Sequence, residues 1–235
     1  MQEQINTTKQ TKTSKISLPS YTKGEEIFSW VGHCVGAALS VAALVLCVVF
    51  SAISNDLTRW KVVSCAVYGA TLVILYTMST LYHALPIGKG KKVFRVIDHC
   101  SVSLLIAGTY TPYTLVTLRD YSNAWGWAIF GVVWGAAILS IVLTAIDLKK
   151  YEKANLICYL AMGWCIVIAI VPLFRSNLGS GGFLFLLLGG ILYTLGALIY
   201  VIGHKKKLKY MHSIWHLFVL AGSIMQFFSI FFYVI

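Results

Sequence analysis

Seven long apolar runs, almost free of charge, constrain this chain more than any other feature. They cover roughly residues 28–53, 62–85, 98–118, 125–146, 156–174, 183–203 and 212–234. Each exceeds the about 18 residues that a helix needs to cross a bilayer. Within all seven, the single Asp, Glu, Lys or Arg is Asp98, at the very start of the third. Hydrocarbon offers backbone groups no partners, so such segments must close their hydrogen bonds internally as helices. The predicted fold is therefore an all-α integral membrane protein, a bundle of seven transmembrane helices spanning residues 25–235. Residues 1–24 are polar and rich in Lys, Thr and Ser, and they read as a disordered cytosolic tail rather than a signal peptide.

The formal net charge of +11 first suggests a nucleic-acid partner, but the placement of the charge argues against one. Fifteen of the 19 Lys and Arg residues lie in alternate connections: Lys9, Lys12, Lys15 and Lys23; Lys89, Lys91, Lys92 and Arg95; Lys149, Lys150 and Lys153; Lys205, Lys206, Lys207 and Lys209. The other side carries Arg59, Lys61, Arg119 and Arg175. The positive-inside rule then predicts a cytoplasmic N-terminus and, with seven crossings, an outside C-terminus. Topology and anionic headgroups account for the charge. Membrane lipids are the expected partners, a homo-oligomer is compatible with such a bundle, and the expected location is the plasma membrane.

Six cysteines (Cys34, Cys47, Cys65, Cys100, Cys158, Cys165) show no CxxC spacing, so no disulfide framework or zinc ribbon is indicated. Helices in lipid associate through small residues. Gly131, Gly135 and the Gly189-Gly190 pair are expected to pack in this way. Pro112 is expected to kink the third helix and free a carbonyl, with Thr109 and Thr111 at hand to satisfy it.

All six histidines fall on the predicted cytosolic half. His83 closes span 2, preceded by Ser79 one helical turn earlier, and the last span opens with His212-Ser213-Ile214-Trp215-His216. An i,i+4 pair puts two imidazoles on one helix face, about 6 Å apart along the axis. Three neutral imidazoles from two helices form the ligand set of an open tetrahedral zinc site, which can activate water. In soluble HExxH metalloproteases the residue after the first His is the general base. Here that residue is Ser213, so a base must come from elsewhere, and Asp98 on span 3 fits. Ser79 could hydrogen-bond the water or a developing oxyanion. The expected ligands are thus His83, His212 and His216, and the expected catalytic groups are Asp98 and Ser79. His33, His99 and Glu26 are expected to support the ligands. Glu25 and Glu26 also favour the dipole of the first helix. His204, beside three lysines, reads as a snorkelling surface residue, and pairing of Asp98 with Arg95 or Lys92 stays open.

The stretches EEIFSWVGHCVG (25–36), STLYHAL (79–85), FRVIDHCSVSLLIAGTYTPYTL (94–115) and HSIWHLFVLAGS (212–223) together resemble the haemolysin III family, bacterial relatives of the progestin and adipoQ receptors. The resemblance runs from about residue 25 to the C-terminus. It implies a seven-helix bundle with zinc near the cytosolic face, held by His83, His212 and His216, with Asp98 and Ser79 near the activated water. Ser29 and Gly32 stand where many relatives carry Asn and Thr. The wider superfamily includes alkaline ceramidases, which hydrolyse lipid amides, and adiponectin receptors, for which a ceramidase-like activity is proposed. Three functions are therefore in play. The first is a zinc-dependent hydrolase of a lipid amide or ester; the second is a non-enzymatic sensor or receptor with structural zinc. The third is a cytolytic pore, against which stand the apolar spans and the lack of a secretion signal.

Overall fold

The computed structural model describes residues 18–54 and 58–235. It is all-helical there, with no strand among the described residues. Eight α-helices run in order: α1 (Lys23–Ile53), α2 (Thr58–Ala84), α3 (Lys89–Pro112), α4 (Arg119–Tyr121), α5 (Asn123–Trp164), α6 (Ile170–Arg175), α7 (Gly179–Lys206) and α8 (Met211–Tyr233). A π-helical stretch, Tyr113–Leu118, joins α3 to α4, and a 3-10 stretch, Cys165–Ala169, joins α5 to α6. Most of the expected tail, residues 1–17, lies outside the described residues. Helix α1 begins two residues before the expected domain start.

Helix α1 shows how a membrane segment inverts the soluble pattern. Its buried positions are Glu25, Ser29, His33, Gly36, Ser40, Ala43, Cys47 and Ser51, spaced three or four apart on one face. Val31, Val35, Leu39, Val45, Val49 and Phe50 are exposed. Small and polar residues thus face the protein while large apolar ones face outward, an arrangement that lipid favours and water would penalise. By length and composition, five helical runs among the described residues are able to cross a membrane: Lys23–Ile53, Arg59–Ala84, Asn123–Arg175, Gly179–Lys206 and Met211–Tyr233. The chain is a multi-pass membrane protein.

This count differs from the seven predicted runs for two physical reasons. Lysines and Arg95 fill the first two turns of α3 and dilute its apolarity. The expected spans 125–146 and 156–174 fall within one run of 53 residues, Asn123–Arg175. At 1.5 Å per residue that run is roughly 80 Å long, far more than a hydrocarbon core of about 30 Å. It is not straight, since Asp147 has a non-helical backbone (φ −160°, ψ 94°).

Packing is sequential: α1 on α2, α2 on α3, α3 on α5 and α7 on α8, with α1 closing against α8. The close approaches are made at Gly36 against Tyr76, Gly69 against Leu44 and Gly108 against Thr71, where an added Cβ would clash. Gly189 likewise abuts Gln226. Gly131 and Gly135, expected to serve this purpose, do not: a Cβ at either meets nothing within 4 Å. Pro112 leads into the π-helical stretch, the local widening that a missing N–H invites. Thr111 Oγ1 donates to Ala107 O (2.9 Å) and Thr114 Oγ1 to Tyr110 O (2.9 Å), so threonines on both sides of the proline serve carbonyls of the turns before it.

Candidate metal centre

Helix α1 starts with a capping box that also fixes α8. Glu25 N–H donates to Thr22 Oγ1 (3.3 Å), and the Glu25 carboxylate accepts from Thr22 N–H (2.8 Å). The other Glu25 oxygen accepts from Tyr210 N–H at 2.7 Å. Tyr210 has φ +62°, a left-handed conformation unusual for a non-glycine residue, and it sits immediately before α8. Ser213 Oγ donates to Glu25 O (3.2 Å) and lies 2.9 Å from Ser29 Oγ. These contacts hold the first turn of α8, and with it His212 and His216, beside the first turns of α1.

His83, His212 and His216 each present a ring nitrogen, and the three nitrogens lie within 4.8 Å of one another. All three rings are buried. The Glu26 carboxylate accepts from His83 Nδ1 at 2.6 Å and from Lys91 Nζ at 2.8 Å. A proton held on Nδ1 leaves Nε2 as the lone pair, the tautomer a ligand needs. That Nε2 lies 3.3 Å from His212 Nε2. Two nitrogens bound tetrahedrally at about 2.0–2.1 Å from zinc stand about 3.3 Å apart, so the pair already has ligand spacing. Both nitrogens of His216 and Nδ1 of His212 are buried without a well-formed hydrogen bond among the described residues. Such burial is costly unless something binds the lone pairs. The donor set therefore fits zinc.

The other expected residues surround this group. Ser79 and Asp98 are buried and line one cavity with His33, His99, His212 and His216. Ser79 Oγ and the Asp98 carboxylate are close enough to interact without closing a well-formed hydrogen bond. Asp98 sits in the third turn of α3, since that helix begins at Lys89. His33 stacks on His216, with ring centroids 3.9 Å apart, and meets Tyr76 edge-on at 5.0 Å. It lies outside the trio of His83, His212 and His216, and its two ring nitrogens are likewise buried without a well-formed hydrogen bond among the described residues. His99 bonds back to Arg95 O through Nδ1 (2.8 Å), and the same nitrogen is 3.9 Å from Asp98 Oδ2. His204 is exposed, at the cavity's rim.

Two neighbours escape sequence reasoning. Tyr21, in the segment expected to be disordered, stacks on His212 (4.9 Å, 15° between planes). Burial holds its phenol neutral far above its ordinary titration range. Lys91, one of several basic residues at that membrane face, turns inward to Glu26 and is buried. Its place seven residues before Asp98, two turns along the same helix face, hinted at this, and topology explained its charge equally well.

The cavity measures about 1060 Å³. From Ser79, Asp98 and His216 it extends past Leu105, Ile106, Leu160, Val167, Leu187 and Val219. Its wall is mainly aliphatic and aromatic, with Asn155, Thr194 and Gln226 among the polar residues that also line it.

The family model for haemolysin-III-related proteins matches residues 21–227, which include every residue of this centre. The chain belongs to the haemolysin-III-related family. It is 41% identical over 223 residues to Hemolysin-3 of Bacillus cereus, covering 95% of this chain and 98% of that protein. Against the Hemolysin-3 homolog of Bacillus subtilis (strain 168) it is 39% identical over 213 residues, 91% of this chain and 96% of the relative. The chain is also similar to the Homo sapiens Monocyte to macrophage differentiation factor, 25% identical over 202 residues, 83% of this chain and 79% of that one.

Proposed function

We propose that this haemolysin-III-related protein is a zinc-dependent hydrolase of a lipid amide or ester, lodged in the plasma membrane with seven crossings and a cytoplasmic N-terminus. In this reading α3 with its π-helical extension is one crossing, and Asn123–Arg175 bends at Asp147 to make two. The metal end of the cavity then faces the cytosol, on the side where most Lys and Arg lie.

The observation that carries the proposal is that His212 and His216 line a mainly apolar cavity with Ser79 and Asp98, while His83 stands within ligand distance of both imidazoles. Zinc held by His83, His212 and His216 would supply the Lewis acidity that makes water a nucleophile near neutral pH. The chain's own residues do the rest. The cavity wall takes the alkyl chain and sets its carbonyl beside Ser79. Asp98 accepts a proton as water adds to the carbonyl carbon. Ser79 donates a hydrogen bond to the oxygen as charge builds there. When the C–N or C–O bond breaks, Asp98 returns that proton to the leaving amine or alcohol, and a carboxylic acid remains. Glu26 keeps the His83 proton on Nδ1 throughout.

The test is turnover of defined N-acyl and O-acyl lipids by zinc-loaded protein in lipid nanodiscs. Asp98→Asn is expected to retain zinc while losing rate by about 10²–10⁴-fold, the usual worth of a general base. An unchanged rate in that variant removes Asp98 as the base. If zinc-loaded wild type hydrolyses no lipid amide or ester, the hydrolase reading fails and the non-enzymatic sensor takes its place.

A further inference from the structure

We infer that Lys153 and Lys205 form a headgroup site for a phosphate-bearing lipid, at the basic end of a slot between α5 and α7 through which the cavity meets the bilayer; this rests on the reading that the cavity holds a lipid acyl chain. The slot follows from which parts of the cavity wall are exposed. Wall residues from α1, α2, α3 and α8 are buried or half-buried, whereas the exposed ones all belong to α5, the 3-10 stretch after it and α7. Those two helices also hardly touch each other, since α5 packs on α3 and α7 on α8. Along this rim the chemistry changes with depth. Ile157, Trp164 and Val167 are its exposed apolar part, and Lys153, His204 and Lys205 its exposed polar end. An apolar stretch ending in cations matches a lipid with its chains in the hydrocarbon and an anion at the interface.

Topology alone puts lysines at this face, but it does not put them in a cavity wall. Lys149, Lys150, Lys206, Lys207 and Lys209 share the face and lie outside the wall, whereas Lys153 and Lys205 line it. Neither of these two has a carboxylate within ion-pair distance among the described residues. The carboxylates of the wall are Asp98, which is buried, and Glu152, which accepts from the Tyr200 hydroxyl at 3.0 Å. That contact sets the height of the site. The Tyr200 ring lies 5.8 Å from the His212 ring, and Lys153 follows Glu152 directly. Lys205 stands five residues beyond Tyr200, about 7.5 Å of helix. In an acylated glycerol phosphate, five bonds separate phosphorus from the nearer acyl carbonyl carbon, roughly 6 Å when extended. A phosphate held by the two lysines therefore leaves that carbonyl at the level of Tyr200, beside His212. Lysine serves such a site as a point charge on a flexible stem.

The test uses a pair of ether-linked lipids, a dialkylglycerol phosphate and the matching dialkylglycerol, each with a photoreactive diazirine in one chain. Ether links make both inert to hydrolysis, so binding is read whether or not the protein is a hydrolase. Full-length protein in detergent is irradiated with either lipid, and labelled residues are located by peptide mass spectrometry. In wild type the phosphate lipid is expected to label wall residues such as Leu156, Leu160 and Leu187 on the order of ten times more than the dialkylglycerol does, the worth of two cationic contacts to one anion. Lys153→Gln combined with Lys205→Gln should bring the two lipids to parity. Lys149→Gln combined with Lys206→Gln, which removes equal charge outside the wall, should keep the preference. Should the first double variant fail to fold, its single variants decide, each with a smaller loss. Equal labelling by both lipids in wild type, or equal loss in the two double variants, overturns the headgroup site and leaves the acyl-chain reading standing. Label confined to outward positions such as Val35 and Val45 of α1 removes the acyl-chain reading, and the headgroup site with it.

Discussion

Replacing Glu26 by Gln isolates the contact that, in the proposed zinc centre, would prepare His83 as a ligand. One Glu26 oxygen accepts from His83 Nδ1 at 2.6 Å and the other from Lys91 Nζ at 2.8 Å. A glutamine amide has one acceptor and one donor, so it cannot satisfy two donors. With its oxygen on His83, its NH2 group faces the Lys91 ammonium. With its oxygen on Lys91, its NH2 group donates to His83 Nδ1, which moves the imidazole proton to Nε2, the atom 3.3 Å from His212. Either state opposes the ligand geometry, the second by blocking the coordinating lone pair. Partners of this kind are worth about 10–100-fold in metal affinity, or about 1.4–2.7 kcal/mol. The assay is competition for zinc against a chromophoric chelator, using purified protein in detergent. Glu26→Gln should shift the apparent Kd upward by that factor. Lys91→Ala should shift it less, because His83 keeps its acceptor. Wild-type zinc affinity in Glu26→Gln would refute the view that Glu26 sets the His83 tautomer.

Tyr21→Ala removes the ring stacked on His212. An aromatic pair is worth about 0.5–1.5 kcal/mol, so zinc affinity in the same competition assay should fall a few-fold, and Tyr21→Phe should restore it; equal affinity in all three proteins would make the stacking incidental. Gly108→Ala drives a methyl group into Thr71 between α3 and α2. It should cost about 1–3 kcal/mol, read as a lower thermal midpoint in detergent, whereas Gly131→Ala should not lower the midpoint.

What the sequence made legible follows from the physics of each signal. Apolar length shows directly because lipid leaves helices as the available answer, which is why the helices α1, α2, α7 and α8 coincide closely with expected spans. The helix faces are less legible. In α1 the protein-facing side is the small and polar one, and in Gly131 and Gly135 a packing motif points outward. That His83, His212 and His216 come together was readable because His212 and His216 share a face by spacing alone and His83 was expected on their side of the membrane. Tyr21 and Lys91 were not, since a stacking ring in an N-terminal segment and an inward-turned lysine in a basic cluster leave no periodic trace. The cavity was equally hidden, because it arises from how α3, α5 and α7 are spaced rather than from any one of their sequences.

Metal content of the purified protein tests the central claim most directly. Elemental analysis of wild type is expected to give about one zinc per chain, and His216→Ala, left with two imidazoles, is expected to lose it while keeping its helical circular dichroism. Wild type without stoichiometric zinc after purification in zinc-replete medium, or full occupancy in folded His216→Ala, would contradict a centre built on His83, His212 and His216.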